Sequence, residues 1–164
     1  MRRWIWLVLL LTSPSGVWAE EWQVCFSPKS GCTDVLVDTL AQAREQVLVQ
    51  AYSFTSHPIA QALLDAQARG VQVQVILDRG QKKAVGSQAK VVAQGGIPVV
   101  FDRAHAIAHN KVMVIDTDTV VTGSFNFTAS AEERNAENLL IVHDAALAEQ
   151  YRANWHQHRT HAEP

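Results

Sequence analysis

A short stretch in the second half of the chain combines side chains that could perform chemistry on a phosphate. His109 and Lys111 stand two residues apart, and Ser124 and Asn126 stand two apart after a glycine. An imidazole can attack phosphorus or carry a proton, while an ammonium, a hydroxyl and an amide can donate hydrogen bonds to phosphate oxygens. This combination predicts a site for a phosphate ester.

The residues around these side chains predict the strands that would position them. Residues 112–115 form a continuous apolar run, which is typical of a strand covered on both faces. Side chains two apart on a strand point to the same face, so His109 and Lys111 should project together. Ser124 and Asn126 should do the same if their segment is extended.

The fixed positions of this stretch resemble the signature of the phospholipase D superfamily, which is H-x-K, four residues, Asp, six residues, G-S-x-N. In this chain the matching residues are His109, Lys111, Asp116, Gly123, Ser124 and Asn126. Six fixed positions at fixed gaps are far more specific than a lone glycine motif. The resemblance implies cleavage or transfer of a phosphodiester through a covalent phosphohistidine, with no metal or other cofactor in the reaction.

The resemblance also implies a role for each of these residues. His109 would be the nucleophile, and Lys111 and Asn126 would donate to the nonbridging oxygens. Ser124 would hold the site through its hydroxyl. Asp116 is counted with the catalytic set, but we expect a structural role, because a carboxylate before a turn commonly binds backbone amides.

A nucleophilic imidazole needs its second nitrogen protonated and oriented, and a carboxylate does this well. We expect Glu137, at the start of a later strand, to be this carboxylate. Related single-motif nucleases have a glutamate at a similar distance past the motif. The alternative for Glu137 is a solvated glutamate at the start of a strand.

The leaving oxygen also needs a proton donor, which in the superfamily is the histidine of a second motif. This chain contains no second H-x-K. We therefore expect a two-fold homodimer in which His109 of one subunit is the nucleophile and His109 of the other is the general acid. His105 as an internal acid is the alternative.

A basic segment between Arg79 and Phe101 is the best sequence indication of the substrate. It has no acidic residue and four basic ones, which are Arg79, Lys82, Lys83 and Lys90. Such a patch could contact a nucleic-acid backbone, although a solvated helix face is the alternative.

Residues 51–56, 69–71 and 123–128 resemble the small exported bacterial endonucleases of the superfamily, which degrade DNA and RNA with little sequence preference. This likeness covers nearly all of the chain after residue 19. The second interpretation is a phospholipase or phosphatidyl transferase that acts on lipid headgroups. A binding protein with an inactive site is the third.

The N-terminal residues predict export. Arg2 and Arg3 precede an apolar run from Trp4 to Leu11, and small residues follow near Ala19. This pattern is typical of a signal peptide over residues 1–19, with an uncleaved anchor as the alternative. The remaining 20–164 would form one catalytic domain in the periplasm or outside the cell.

Cleavage after residue 19 would remove Arg2 and Arg3 from the 14 basic residues, which would leave 12 basic and 16 acidic residues. The formal charge would then change from −2 to −4. That balance excludes a strongly basic nucleic-acid binder as a global description. Any polyanion must then be bound by a local patch.

Two cysteines and three late histidines are the remaining candidates for cross-links or metal ligands. In an exported protein Cys25 and Cys32 favour a disulfide, with two reduced buried thiols as the alternative. His156, His158 and His161 lie in a polar tail from residue 156 that we expect to fray, so no metal site is predicted there.

The order of predicted elements indicates an α/β fold. Strands and helices alternate up to about residue 101, which predicts a parallel portion of sheet with helices on its faces. Two later strands joined by Thr117 and Asp118 predict an antiparallel portion. Together they predict a single domain with a mixed sheet between helical layers.

Overall fold

The computed structural model describes residues 22–164. The strands are β1 Trp22–Ser27, β2 Gln46–Ala51, β3 Gln72–Asp78, β4 Val99–Asp102, β5 Lys111–Ile115, β6 Thr119–Gly123, β7 Glu137–His143 and β8 Ala162–Glu163. The α-helices are α1 Cys32–Ala41, α2 His57–Ala68, α3 Ala89–Gln94, α4 Ala129–Glu133 and α5 Ala145–Arg159. A short 3-10 helix, Arg79–Lys82, follows β3. The expected signal peptide lies outside the described residues.

The strands form one sheet in the order β1-β7-β6-β5-β2-β3-β4-β8. β2, β3 and β4 pair in parallel, and the other neighbouring strands pair antiparallel. The parallel part follows from the early strand–helix alternation, because a parallel neighbour needs a crossover connection. The predicted mixed sheet between helical layers is confirmed.

The sheet is covered on both faces by separate apolar clusters. One cluster joins β-strand residues such as Val49 and Met113 to α1, α2 and α3. The other joins Leu48 and Ile76 to α5, whose buried Trp155 donates from Nε1 to the carbonyl of Val49 at 2.9 Å. A sheet buried on both faces explains why the central strands read as continuous apolar runs.

The ends of several helices are set by side chains that the sequence provides. Asp144 accepts a hydrogen bond from the amide of Leu147 and begins α5. Pro58 stands in the first turn of α2, where its missing amide hydrogen costs nothing. Thr128 accepts from the amide of Ala131 and begins the short α4, which the sequence pattern did not reveal.

The C-terminal residues are ordered, so the prediction of a frayed tail is wrong. α5 extends to Arg159, and β8 pairs with β4 through Ala162 opposite Asp102. Ala162 is buried in the cluster under α5. The polar side chains of this segment contact one another at the sheet edge.

Cys25 and Cys32 form a disulfide with a Cα–Cα distance of 5.6 Å. The bond joins the end strand β1 to the first residue of α1, across the turn that contains Pro28 and Gly31. The predicted pairing is therefore confirmed. Within residues 22–164, no helix combines the length and the apolar character needed to cross a membrane.

Candidate active site

The ends of four strands meet at one end of the sheet and bring the motif together. Ala51 at the end of β2 pairs with Lys111 at the start of β5. Gly123 at the end of β6 pairs with Leu139, two residues after the start of β7. Antiparallel pairing therefore places residues distant in sequence beside the loop that carries His109.

His109 and Lys111 are in direct contact. Nζ of Lys111 lies 3.1 Å from Nδ1 and 3.4 Å from Nε2 of His109, and it donates to the His109 carbonyl at 2.7 Å. A ring nitrogen that accepts from an ammonium carries a lone pair, as a nucleophile must. His109 is exposed, whereas Lys111 is only 7% exposed. The two side chains lie together as expected, but His109 is in the loop before β5 and not on the strand, and its imidazole faces solvent beside the buried cation.

The surroundings of Lys111 perturb its charge. Burial lowers the pKa of its ammonium, and the nearby carboxylate of Glu137 acts in the opposite direction. Nζ also lies 5.1 Å from the centre of the Tyr52 ring, within the range of a cation–π contact. The Tyr52 ring packs against the His109 imidazole with 4.5 Å between centres. A desolvated cation with few competing partners is well suited to bind a phosphate oxygen.

The G-S-x-N part of the motif forms a bend and a loop after β6. Ser124 accepts a hydrogen bond through Oγ from the amide of Asn138 at 3.0 Å, while its own amide donates to the Asn138 carbonyl. Strand alternation therefore does not align Ser124 with Asn126, because the strand ends at Gly123. Oδ1 of Asn126 is buried without a hydrogen-bond partner among the described residues, a feature that needs a functional explanation in a native site.

Gly123 is required by the close approach of the next strand. Its φ is 138°, and a Cβ at this position would overlap the carbonyl oxygen of Asn138. Glycine alone leaves room for this contact. The glycine of the motif thus shapes the loop and takes no part in the chemistry.

Glu137 lies at the start of β7 but does not make the contact that we predicted from the sequence. Its Oε1 accepts from Nδ2 of Asn135 at 3.1 Å, and no hydrogen bond joins it to His109 within the described chain. Its electrostatic partner is Lys111. Glu137 therefore acts on the charge of Lys111 and, among the described residues, has no hydrogen bond to the imidazole.

Asp116 lies at the opposite end of β5 from Lys111, about 15 Å away along the strand. Its carboxylate accepts hydrogen bonds from the backbone amides of Arg44, Glu45 and Gln46. The predicted backbone contact is present. Asp116 thus lies away from His109, and its contacts agree with the structural role that we expected for it.

The basic segment begins at the same end of the sheet. Arg79, Lys82, Lys83 and Lys90 are all exposed. Gln81 and Gln88 join the segment to Phe54, which bridges Phe127 in the motif loop. Exposed cations therefore border the site, although Lys82 also donates to the carbonyl of Pro164 at 3.0 Å.

The comparison with protein families identifies the superfamily of this chain. Residues 36–159 match the family described as "Cardiolipin synthase, PLD-like domain", which is well over half of the chain. The chain belongs to the phospholipase D superfamily. The family and the fold that the resemblance implied are therefore confirmed.

Curated relatives of the phospholipase D superfamily match the same region. A Rickettsia bellii protein named phospholipase D is 48% identical over 80% of this chain and 65% of its own length. A Xenopus tropicalis mitochondrial cardiolipin hydrolase is 34% identical over 68% of this chain and 53% of its own length. The chain thus spans less than two thirds of the length of these relatives.

Two solved structures resemble the whole described fold. Nuc from Salmonella typhimurium, a phospholipase D family member, is 34% identical, with a TM-score of 0.82 over 87% of this chain and 95% of that protein. NucT from Helicobacter pylori is 23% identical, with a TM-score of 0.80 over 87% of this chain and 97% of that protein. The second likeness concerns the fold alone.

Sequence reasoning gave no role to two residues that shape this superfamily site. Tyr52 follows β2 directly and packs on both His109 and Lys111. Asp78 ends β3 and accepts from the amides of Ala108 and Gly80, which fixes the loop before His109 against the basic segment. An aspartate before a glycine at a strand end was the available signal for Asp78.

Proposed function

We propose that this protein is a metal-independent, sequence-nonspecific endonuclease that cleaves DNA and RNA through a phosphohistidine on His109. The observation that carries the proposal is the contact between the exposed His109 and the buried Lys111 beside the exposed basic segment. A long polyanion needs both a reactive centre and cations that continue beyond it.

The reaction would proceed in two displacements. An imidazole nitrogen of His109 attacks phosphorus, an N–P bond forms, and the P–O bond to the leaving oxygen breaks. The leaving oxygen takes a proton from a general acid. A water molecule then attacks phosphorus, gives a proton to that same group, and releases the imidazole. Lys111 and Asn126 donate to the nonbridging oxygens during both steps.

The general acid is assigned to His109 of a second subunit in a two-fold homodimer. Two features support this assignment: the chain has one H-x-K motif, and the imidazole of His109 is exposed. His105 is a poor internal acid because its ring packs against His158 and His161 at the sheet edge rather than against His109. A shared site on a two-fold axis would supply both histidines with identical surroundings.

The exposed basic residues favour a nucleic acid as substrate. Arg79, Lys83 and Lys90 add positive charge along one flank of the site, where successive phosphates of a chain could bind. A single lipid headgroup would not need cations that continue along the surface beyond the reactive site. The overall acidity of the chain makes this local patch the source of affinity.

A phospholipid substrate is the second candidate, and one surface favours it. Trp22, Val24 and Phe26 are 54%, 38% and 63% exposed and stand at alternate positions of the edge strand β1. Phe26 also lines a cavity of about 380 Å³ with Ser124 and Glu137. Such an apolar stripe could contact a lipid surface, and the Rickettsia relatives are named phospholipase D.

We also propose that the protein acts outside the cytoplasm. The disulfide between Cys25 and Cys32 supports this location, because such bonds persist in oxidising compartments. The basic and apolar N-terminal residues support export, to the periplasm or beyond.

One panel of substrates tests the proposed function. Wild type and His109→Ala would be assayed on plasmid DNA, RNA and phospholipid vesicles, each with a chelator present. We expect cleavage of both nucleic acids by wild type only, and an alkaline quench should reveal by mass spectrometry a phosphate adduct on His109. Cleavage of vesicles alone would replace the endonuclease by the phospholipase, and full activity of His109→Ala would refute the histidine chemistry.

A mixing experiment tests the shared site. Wild-type and His109→Ala subunits would be co-expressed in known ratios and purified together. A site that needs both histidines should retain about a quarter of the activity at equal mixing, whereas independent sites retain about a half. A fully active monomer in sedimentation would refute the homodimer.

A further inference from the structure

Four potential metal ligands meet at the edge of the sheet away from β1. They are Asp102 at the end of β4, His105 in the loop that follows, His158 on α5 and His161 in the turn before β8. One ligand atom from each residue lies within 4.8 Å of the ligand atoms of the others. Elements distant in sequence therefore bring three imidazoles and a carboxylate to one point.

The two oxygens of Asp102 have different surroundings. Oδ1 accepts from the backbone amides of Ala104 and His105 at 3.0 and 3.2 Å, which fix the orientation of the carboxylate. Oδ2 faces Nδ1 of His105 at 2.9 Å, Nδ1 of His158 at 3.0 Å and Nε2 of His161 at 3.4 Å. A single carboxylate oxygen has two lone pairs, so three imidazole N–H groups would compete for it.

The cluster also contains a buried negative charge without a permanent cation. Asp102 is fully buried, and its side chain has hydrogen bonds only to backbone amides and to these histidines among the described residues. Oδ2 of this carboxylate therefore faces all three rings and is positioned to act as a ligand.

The three imidazole rings are packed together around that carboxylate. Their centres are separated by 4.9 Å for His105 and His158, 5.2 Å for His105 and His161, and 5.4 Å for His158 and His161. Imidazole binds a metal ion through a ring nitrogen, and three rings packed this closely can supply nitrogens to a single ion.

We propose that Asp102, His105, His158 and His161 bind one divalent transition-metal ion of the zinc class. Zinc prefers four tetrahedral ligands, and imidazole nitrogen with one carboxylate oxygen is a suitable set. Around a tetrahedral zinc ion, neighbouring ligand atoms are about 3.3 Å apart. The histidine nitrogens already lie close to this distance from Oδ2 of Asp102. The two most widely separated ligand atoms would have to approach each other by about 1.5 Å. Calcium and magnesium are disfavoured because they require mostly oxygen ligands.

The position of the site indicates a structural role. The metal would join the end of β4 to α5 and to the two-residue strand β8, whose pairing involves only Ala162 and Glu163. Four protein ligands close the coordination sphere, as in structural zinc sites, and leave no position for a substrate. None of the ligands belongs to the reactive pair His109 and Lys111, so the site is independent of the proposed function.

Metal binding to the untagged protein tests the proposal directly. Chelator-stripped protein would be titrated with Zn²⁺ alone by calorimetry, with the thermal midpoint followed in parallel, and with Co²⁺ to record the visible absorption of a tetrahedral site. We expect one ion per chain and a higher thermal midpoint. His161→Gln and His158→Gln should each weaken zinc binding by about 100-fold or more and remove the cobalt bands.

His156→Gln is the matched control, because His156 lies on the same helix outside the cluster. It should leave zinc affinity and the thermal shift unchanged. The exposed fraction of the His161 side chain is 31%, so this variant should fold even if the more buried His158→Gln does not. Absence of zinc binding by wild type, or equal loss in His156→Gln and His161→Gln, would overturn the proposal.

Discussion

Two histidines on the loop between β4 and β5 lie four residues apart and face opposite charges. His105 contacts the carboxylate of Asp102, whereas His109 contacts the ammonium of Lys111. In both pairs the charged partner is buried, with 0% exposure for Asp102 and 7% for Lys111, while the histidine is the more exposed member. The same side chain is thus presented in two electrostatic environments.

The difference shows that the buried partner determines what each histidine can bind. Asp102 is the last residue of β4 and Lys111 the first of β5, so the strands fix both charges before any ligand arrives. An imidazole beside a fixed cation is suited to a phosphate, and imidazoles around a fixed anion are suited to a metal ion. Four experiments can break or sharpen this comparison.

The largest expected effect is the loss of reaction in His109→Ala. Removal of the nucleophile should lower kcat by at least about 10⁴-fold, as for other covalent catalysts. Zinc affinity should remain that of wild type, because His109 is outside the metal cluster. Rates on a small phosphodiester and calorimetry with Zn²⁺ measure the two properties. The reverse result is expected for His161→Gln, and a parallel loss of both properties in either variant would remove the distinction.

Lys111→Met tests the buried cation of the phosphate side. It keeps an apolar stem in the same space but removes the donor, so kcat should fall by about 10²–10³-fold. Single-turnover rates would measure this loss, and the thermal midpoint would show whether the fold is retained. An unchanged rate in a folded variant would mean that Lys111 does not stabilise the transferred phosphate.

The basic segment extends the phosphate side of the comparison. Lys83→Ser with Lys90→Ser should raise KM for long DNA by about 10-fold and flatten its salt dependence, because each lost phosphate contact reduces the slope by about one. The rate on a small phosphodiester should not change, since neither side chain has a hydrogen bond to His109 or Lys111 among the described residues. Equal effects on long and small substrates would contradict this assignment.

Glu137→Gln should give the smallest effect, a change in pH dependence. Burial lowers the pKa of Lys111, and the Glu137 carboxylate raises it. Without that carboxylate the pKa falls further, so the ammonium is lost at a lower pH and the alkaline limb of the rate profile shifts to lower pH. A pH–kcat profile measures the shift. A shift of the acidic limb instead would mean that Glu137 acts on the imidazole of His109, as first predicted from the sequence.

The sequence predicted which residues lie close together better than it predicted their individual contacts. The motif spacing identified His109, Lys111 and the donors after β6, because strand pairing brings these ends together regardless of surface detail. It misplaced Glu137, since the partner of a carboxylate depends on side-chain conformation rather than on spacing. It also counted Asp116 with the site, although five positions of extended strand carry it to the other end of the sheet.

The histidines of the C-terminal segment show why polar composition misleads. His158 and His161 suggested a solvated tail, because neither has an apolar neighbour pattern that would indicate burial. Their partner, Asp102, precedes His158 by 56 residues, and its contact depends on where α5 returns to the sheet edge. No local pattern encodes a contact of that range. The start of α5 and the parallel part of the sheet, in contrast, follow from a capping residue and from the alternation of strands and helices.

The close approach at Gly123 has a consequence for mutational screening. Any side chain there would overlap the Asn138 carbonyl and displace the bend that carries Ser124. A random library selected for activity would therefore score Gly123 as intolerant as His109, although it donates nothing to a substrate. Expression yield would separate the two, because replacement of Gly123 should deplete folded protein whereas His109→Ala should accumulate normally.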